Sequence, residues 1–193
     1  MKPEITAPGG SIYGVQGMDP AGTSYQNMSG TSMASPQVAG MAALVAGHIR
    51  SNQLDEKTGV SSRHLIQSLL MSTAQPLKDG ENYYPVIQQG AGLANAALAM
   101  ASGAYIQVEG TDKAKLELGD DPQKTGVYDM TFEVVNFSDQ DKTYTLDTTV
   151  LGQVAQGGRI VNGEVTYLTF DYARELEVDT TCSAQGGNVT VPA

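Results

Sequence analysis

The stretch Val38–Ala46 carries no polar side chain, and this constrains what the chain can fold into more than any other feature. Ala, Met, Leu and Val follow one another there after a Gly- and Ser-rich approach, which predicts a helix beginning at Thr31 or Ser32. The stretch is apolar on every side rather than along one stripe, so the expected helix is fully buried at the centre of a domain. Pro36 lies near its start, where its missing N–H is read as having no intrahelical acceptor to lose. Gly40 and Gly47 each cost a helix about 1 kcal/mol relative to alanine, which points to close backbone packing.

Two further helices are expected. Leu65, Ile66, Leu69 and Leu70 form one apolar stripe between about Ser62 and Ala74, with Ser61 placed as N-cap and Pro76 just past the end. Gly90-Ala91-Gly92 leads into a shorter helix from about Leu93 to Ala101. The intervening Glu81–Gln89 reads as a loop or short hairpin, and the opening Glu4–Gly10 as a strand stopped by Pro8, Gly9 and Gly10. From about Ala104 the texture changes. Leu116 and Leu118 are bracketed by Lys115 and Glu117; Met130, Phe132 and Val134 alternate with polar residues, as do Tyr144, Leu146, Thr148 and Val150. Several short runs of period two predict an antiparallel sandwich with one buried face. The last run, Asn188–Val191, has no evident closing partner. A domain junction is expected near Ser102-Gly103.

The charge balance removes one class of function. Lys and Arg number 11 against 21 Asp and Glu, a net charge of −10, and phosphate backbones are bound by clustered cations. No nucleic-acid partner is expected. The single cysteine, Cys182, excludes an internal disulfide and a multi-cysteine zinc site; with no basic neighbour it reads as a small buried or edge residue rather than a reactive thiol. Met1-Lys2-Pro3-Glu4 opens no signal peptide, and Val38–Ala46 is far short of the roughly 20 residues that span a bilayer. Asp120-Asp121 and Asp139-Gln140-Asp141 lack the ligand spacing and turn glycine of a calcium loop and read as solvated turns. No metal and no cofactor is expected.

Chemistry concentrates just before the apolar helix, in Met28-Ser29-Gly30-Thr31-Ser32-Met33-Ala34-Ser35-Pro36-Gln37-Val38-Ala39-Gly40. A serine at a helix N-terminus faces the positive end of the helix dipole and free backbone N–H groups, which stabilise developing negative charge. Gly30 allows a tight turn and leaves room for a substrate carbonyl. A lone Gly-x-Ser would be read as a helix cap. The longer run Ser-Gly-Thr-Ser-Met-Ala-Ser-Pro, followed by Val-Ala-Gly, resembles the nucleophile motif of the subtilases, the subtilisin-like serine proteases. The resemblance implies that Ser32 is the nucleophile, that its own N–H supplies one oxyanion donor, and that Gly30, Thr31, Met33 and Pro36 support the nucleophile loop. Lys2–Gly9 resembles the strand before that loop in the family, and Gly90–Ala97 the glycine-led helix that closes the catalytic domain. The implied fold is α/β: the C-terminal portion of a subtilisin-like parallel-sheet sandwich over residues 1–103, followed by a partial all-β sandwich over 104–193.

Gln37 departs from the histidine that many subtilases carry after the proline. This shifts the resemblance toward multidomain cell-envelope subtilases, in which a fibronectin-type-III-like domain follows the protease. Such a parent would be secreted or attached to the envelope and would act on proteins or peptides. The family orders its triad Asp, His, Ser, yet no histidine precedes Ser32 here, and Asp19, the only aspartate before it, carries no triad motif. His48 lies 16 positions later on the same expected helix, about 24 Å away. His64, beside Arg63 at a helix start, reads as solvated or capping. The expectation is therefore a serine endopeptidase segment whose Asp, His and oxyanion Asn come from a missing N-terminal part, and which is inactive alone. The alternative is a catalytically inactive standalone binding or accessory module.

Overall fold

The computed structural model describes residues 3–17, 19–154, 158–161, 164–168, 172–175 and 188–193. Cys182 lies outside the described residues. In chain order the elements are β1 (Ile12–Val15), β2 (Tyr25–Met28), α1 (Thr31–Ser51), α2 (Leu54–Thr58), α3 (Ser62–Ser72), β3 (Lys78–Asp79), β4 (Asn82–Tyr83), α4 (Val86–Gln89), α5 (Ala96–Ala101), β5 (Ala104–Val108), β6 (Phe132–Asn136), β7 (Lys142–Thr145), β8 (Leu151–Val154), β9 (Gly158–Val161), β10 (Glu164–Leu168), β11 (Tyr172–Glu175) and β12 (Asn188–Val191). Helix and strand are thus mixed. Every ladder among the described residues is antiparallel: β1 with β2, β5 with β6, β7 with β12, β9 with β10, and a four-stranded sheet in the order β3-β4-β11-β8. The one parallel contact among these residues is the bridge between Thr6 and Leu93.

Helix α3 forms where its apolar stripe and cap place it. Ser61 Oγ accepts the His64 amide at 3.3 Å, and Leu65, Leu69 and Leu70 are buried. The third helix starts later than its sequence suggests, at Ala96 behind an Asn95 cap that accepts the Leu98 amide at 3.1 Å. Leu93 is otherwise engaged: its N–H donates to Gln75 O at 2.7 Å, and its own carbonyl accepts Gln75 N–H at 3.0 Å. The segment 81–89 is a two-residue hairpin arm followed by a helical turn after Pro85.

The core is a cluster of Val45 and Ile49 from α1, Leu54 from α2, Leu65, Leu69 and Leu70 from α3, Ala99 from α5, and Tyr105 from β5. It runs across Gly103 without a break. Tyr105 lies 5.8 Å from the His64 ring and 6.2 Å from Phe137, and the Ile106 amide donates to Ser72 Oγ at 2.9 Å. The strand that follows the expected junction is therefore pinned to α3.

Several expectations need correction. Glu4–Gly10 forms no strand, only the single bridge from Thr6 to Leu93. Helix α1 is not buried all round: Val45 and Ile49 face the core, whereas Ala39, Gly40, Ala43, Leu44 and Gly47 are exposed, Leu44 at 59%. These positions fall three and four apart, so they form one face that no described residue covers. His64 is not solvated. It is only 6% exposed, and neither ring nitrogen has a hydrogen-bond partner among the described residues. Asn188–Val191 does have a partner, pairing with Lys142–Thr145. Finally, Leu116 and Leu118 lie outside any strand, in an irregular stretch between β5 and β6.

An uncovered apolar helix face is a site of association. The 193-residue chain is expected to self-associate, and Leu44→Lys to shift it toward monomer in sedimentation velocity without loss of helical circular dichroism. Unchanged association would show that this face is not what drives it.

Candidate active site around Ser32

The turn that holds Ser32 is built from two chain segments. Before it, Pro8-Gly9-Gly10 leads into the hairpin β1–β2; after it, Ser29-Gly30 returns from the hairpin into α1. The two strands pair in register from Ile12 with Met28 to Val15 with Tyr25. At the base, the Gly30 amide donates to Gly9 O at 2.7 Å and the Ser11 amide to Ser29 Oγ at 2.8 Å. Both glycines are required. Gly30 adopts φ 155°, and a Cβ on Gly9 would fall 2.7 Å from the Gly30 oxygen.

This hairpin lies in the stretch that composition alone marks as loop. Ile12-Tyr13-Gly14-Val15 and Tyr25-Gln26-Asn27-Met28, flanking Gly17 and Gly22, were the signal available for it. Tyr13 and Tyr25 stack across its face at 5.4 Å. Asp19 closes its tip. Its carboxylate accepts the Ser24 hydroxyl at 2.6 Å and the amides of Ser24, Ala21 and Thr23 at 2.8, 3.0 and 3.1 Å. These bonds, the Ser24 hydroxyl first and then the amides, lower its pKa from 3.8 to about 2. Asp19 is thus spent on the turn, and no described histidine shares its hydrogen bonds.

Helix α1 starts at Thr31 with Gly30 as N-cap and no side-chain cap. The amides of Met33 and Ala34 donate to Gly30 O at 3.0 and 3.4 Å. Among the described residues the amides of Thr31 and Ser32 have no acceptor. Ser32, itself exposed, therefore sits beside two free N–H groups at the positive end of a 21-residue helix. There is no acidic side chain in the first turn to cancel that field. Such a turn can present a hydroxyl to an electrophilic carbonyl and receive the negative charge that builds on its oxygen.

Pro36 has a different role from the one its position suggests. With α1 beginning at Thr31, the missing Pro36 N–H is the one that would have met Ser32 O. The turn carrying the serine therefore lacks one rung of its own ladder. Gln37, next in sequence, donates from Nε2 to Pro8 O at 2.7 Å, a contact that no local sequence signal marks.

Neither histidine reaches the serine. His48 lies farther along the same unbroken helix, about 24 Å from Ser32, with its Nδ1 3.3 Å from Asn52 Nδ2. His64 packs on Tyr105 in the core. The acidic pairs hold backbone: Asp121 staples its own turn by accepting the Gly126 amide at 2.7 Å, and Asp141 accepts the amide of Ala193, 52 positions away, at 2.9 Å.

Residues 1–111 match the model of the subtilase family, more than half of the chain. The chain belongs to the subtilase family. Over its full length it is 32% identical to the PI-type proteinase of Lactococcus lactis subsp. cremoris, and likewise to a PII-type proteinase of Lacticaseibacillus paracasei. It is also 32% identical over 78% of its length to the C5a peptidase of Streptococcus pyogenes. The chain spans only 10% of the two proteinases and 12% of the peptidase. Within this subtilase segment, the family match takes in the hairpin, the Ser32 turn and α1, and reaches past β5.

The Asp19 staple gives a pH signature. Its folded pKa lies below the ordinary value, so its contribution is complete above about pH 4 and lost as pH falls through about 2. The amide resonances of Ala21, Thr23 and Ser24 are expected to shift together with a midpoint near 2, and Asp19→Ala to loosen the hairpin above about pH 4 but to change little below about pH 2, where the wild-type staple is already lost. A midpoint at the ordinary aspartate value would show that the carboxylate is free.

Proposed function

We propose that this chain forms the C-terminal part of the catalytic domain of a serine endopeptidase, with Ser32 as nucleophile. The observation that carries the reading is the pairing of an exposed serine with two unpartnered amides at the start of α1, inside a segment matching the subtilase family. Ser32 Oγ attacks the scissile carbonyl to form an acyl-enzyme, and the Ser32 amide donates to the resulting oxyanion. Gly30 and Thr31 shape that pocket, Met33 backs it, and Pro36 lies in the following turn, where it frees the Ser32 carbonyl from the helix ladder.

A serine hydroxyl is a weak nucleophile until a base takes its proton. His48 is too far, His64 is packed in the core, and Asp19 is engaged at the hairpin tip. The histidine, its orienting aspartate and a second oxyanion donor, an asparagine by resemblance, are accordingly assigned to residues outside these 193. The bare face of α1 supports this assignment, because a catalytic domain would cover it with further chain. Residues 104–193 are read as the start of a fibronectin-type-III-like module, and the substrate as protein or peptide. We read the whole protein as secreted or attached to the cell envelope, a reading supported by the resemblance to cell-envelope subtilases. No helix among the described residues is long and apolar enough to cross a membrane.

The test is covalent labelling with a fluorophosphonate probe. The 193-residue chain is expected to remain unlabelled and without peptidase activity. The longer protease should label at Ser32 and lose labelling and on the order of 10³-fold or more in kcat in Ser32→Ala. Stoichiometric labelling of the short chain, abolished by Ser32→Ala, would overturn the assignment of the base to residues outside it.

A further inference from the structure

Four observations meet at the first two turns of α1. Pro36 removes the N–H that would bond Ser32 O, so the turn bearing the serine is under-held by its own helix. Gly30, just before that turn, is tied by its amide to Gly9 O. Gln37, just after it, is tied by its side chain to Pro8 O at 2.7 Å. Pro8 and Gly9 are adjacent, so both ends of the Ser32 turn hang from consecutive carbonyls of one dipeptide. Proline's fixed φ stiffens that anchor.

We propose that Gln37 is a positioning residue for the nucleophile: its amide clamps the second turn of α1 to the Pro8 carbonyl and replaces, from outside the helix, the restraint that Pro36 takes away at Ser32. The proposal rests on the reading of Ser32 as nucleophile. Its chemistry is specific to a donor. The Pro8 carbonyl only accepts, so the side chain at 37 must carry an N–H or O–H, must reach across to the preceding segment, and must be uncharged or cationic when it does so. Glutamine satisfies all three. Glutamate of the same shape presents a carboxylate to a carbonyl oxygen and repels it; methionine keeps the length and offers no donor. With the clamp released, Ser32 Oγ and its amide retain their identities but lose their fixed orientation toward the reacting carbonyl. Catalysis then suffers more than substrate binding, because only the transition state requires that orientation.

The experiment compares Gln37→Glu, Gln37→Met and Ser32→Ala in the longer protease, with steady-state kinetics on one peptide substrate between about pH 5 and 8. Both Gln37 variants are expected to lose about three- to tenfold in kcat with KM nearly unchanged, as befits one hydrogen bond. The kcat of Gln37→Glu relative to wild type should rise toward about pH 5, because the protonated carboxyl regains an O–H donor; the same ratio for Gln37→Met should stay flat. A purely structural role would lower both variants without separating their pH profiles. Wild-type kcat in both variants, or parallel pH profiles, would overturn the proposal while leaving Ser32 as nucleophile. Full activity in Ser32→Ala would instead overturn the reading on which the clamp depends, and the clamp with it. Should Gln37→Glu fail to fold, unreduced kcat in Gln37→Met overturns the proposal on its own.

Discussion

The hydrogen bond from the Gly30 amide to the Gly9 carbonyl organises the N-terminal half of the chain. It joins the two ends of the β1–β2 excursion, so that the whole hairpin leaves and returns at one point. It also fixes where α1 begins, because a helix that starts at Thr31 needs Gly30 outside it in a backbone conformation suited to glycine. From that start follow the two free amides, the positive dipole end at Ser32 and the lost rung at Pro36. Side chains at either position 9 or 30 would push the segments apart or strain the cap, and the serine would no longer sit on a defined helix terminus.

From this anchored end α1 runs with two different faces. One packs Val45 and Ile49 into a core shared with α3, α5 and β5; the other leaves Ala39, Gly40, Ala43, Leu44 and Gly47 bare. The core face carries the fold onward into the strand-rich half through Tyr105, whose ring bridges His64 and Phe137. The packed core thus lies on one side of α1. The small residues of the opposite face suit close approach by backbone, which fits the proposal that further chain of the same protease lies against it.

How far the fold can be read from sequence follows from the range of the forces involved. Local signals hold: the Ser61 cap, the α3 stripe and the end of α3 before Pro76 are written in side chains a few residues apart. The Ser32 turn is legible because its signal is a contiguous motif. What the sequence misses is decided by partners distant along the chain. An all-apolar helix reads as buried, but burial needs a neighbour, and none covers Leu44 among the described residues. His64 next to Arg63 reads as solvated, yet the packing of Tyr105 places it in the core. Gln37 reads as a neutral departure from the family pattern, because its bond reaches Pro8, 29 positions earlier. Leu116 and Leu118 alternate as a strand should, but alternation alone does not provide a strand to pair with.

On the proposed reading, the start of α1 supplies both the attacking oxygen and one donor for the oxyanion. A crystal structure of the longer protease with a peptide aldehyde bound tests it directly. A hemiacetal on Ser32 Oγ is expected, with its oxygen about 2.7–3.1 Å from the Ser32 amide nitrogen. An adduct on another residue, or one on Ser32 with its oxygen turned away from that amide, would contradict it.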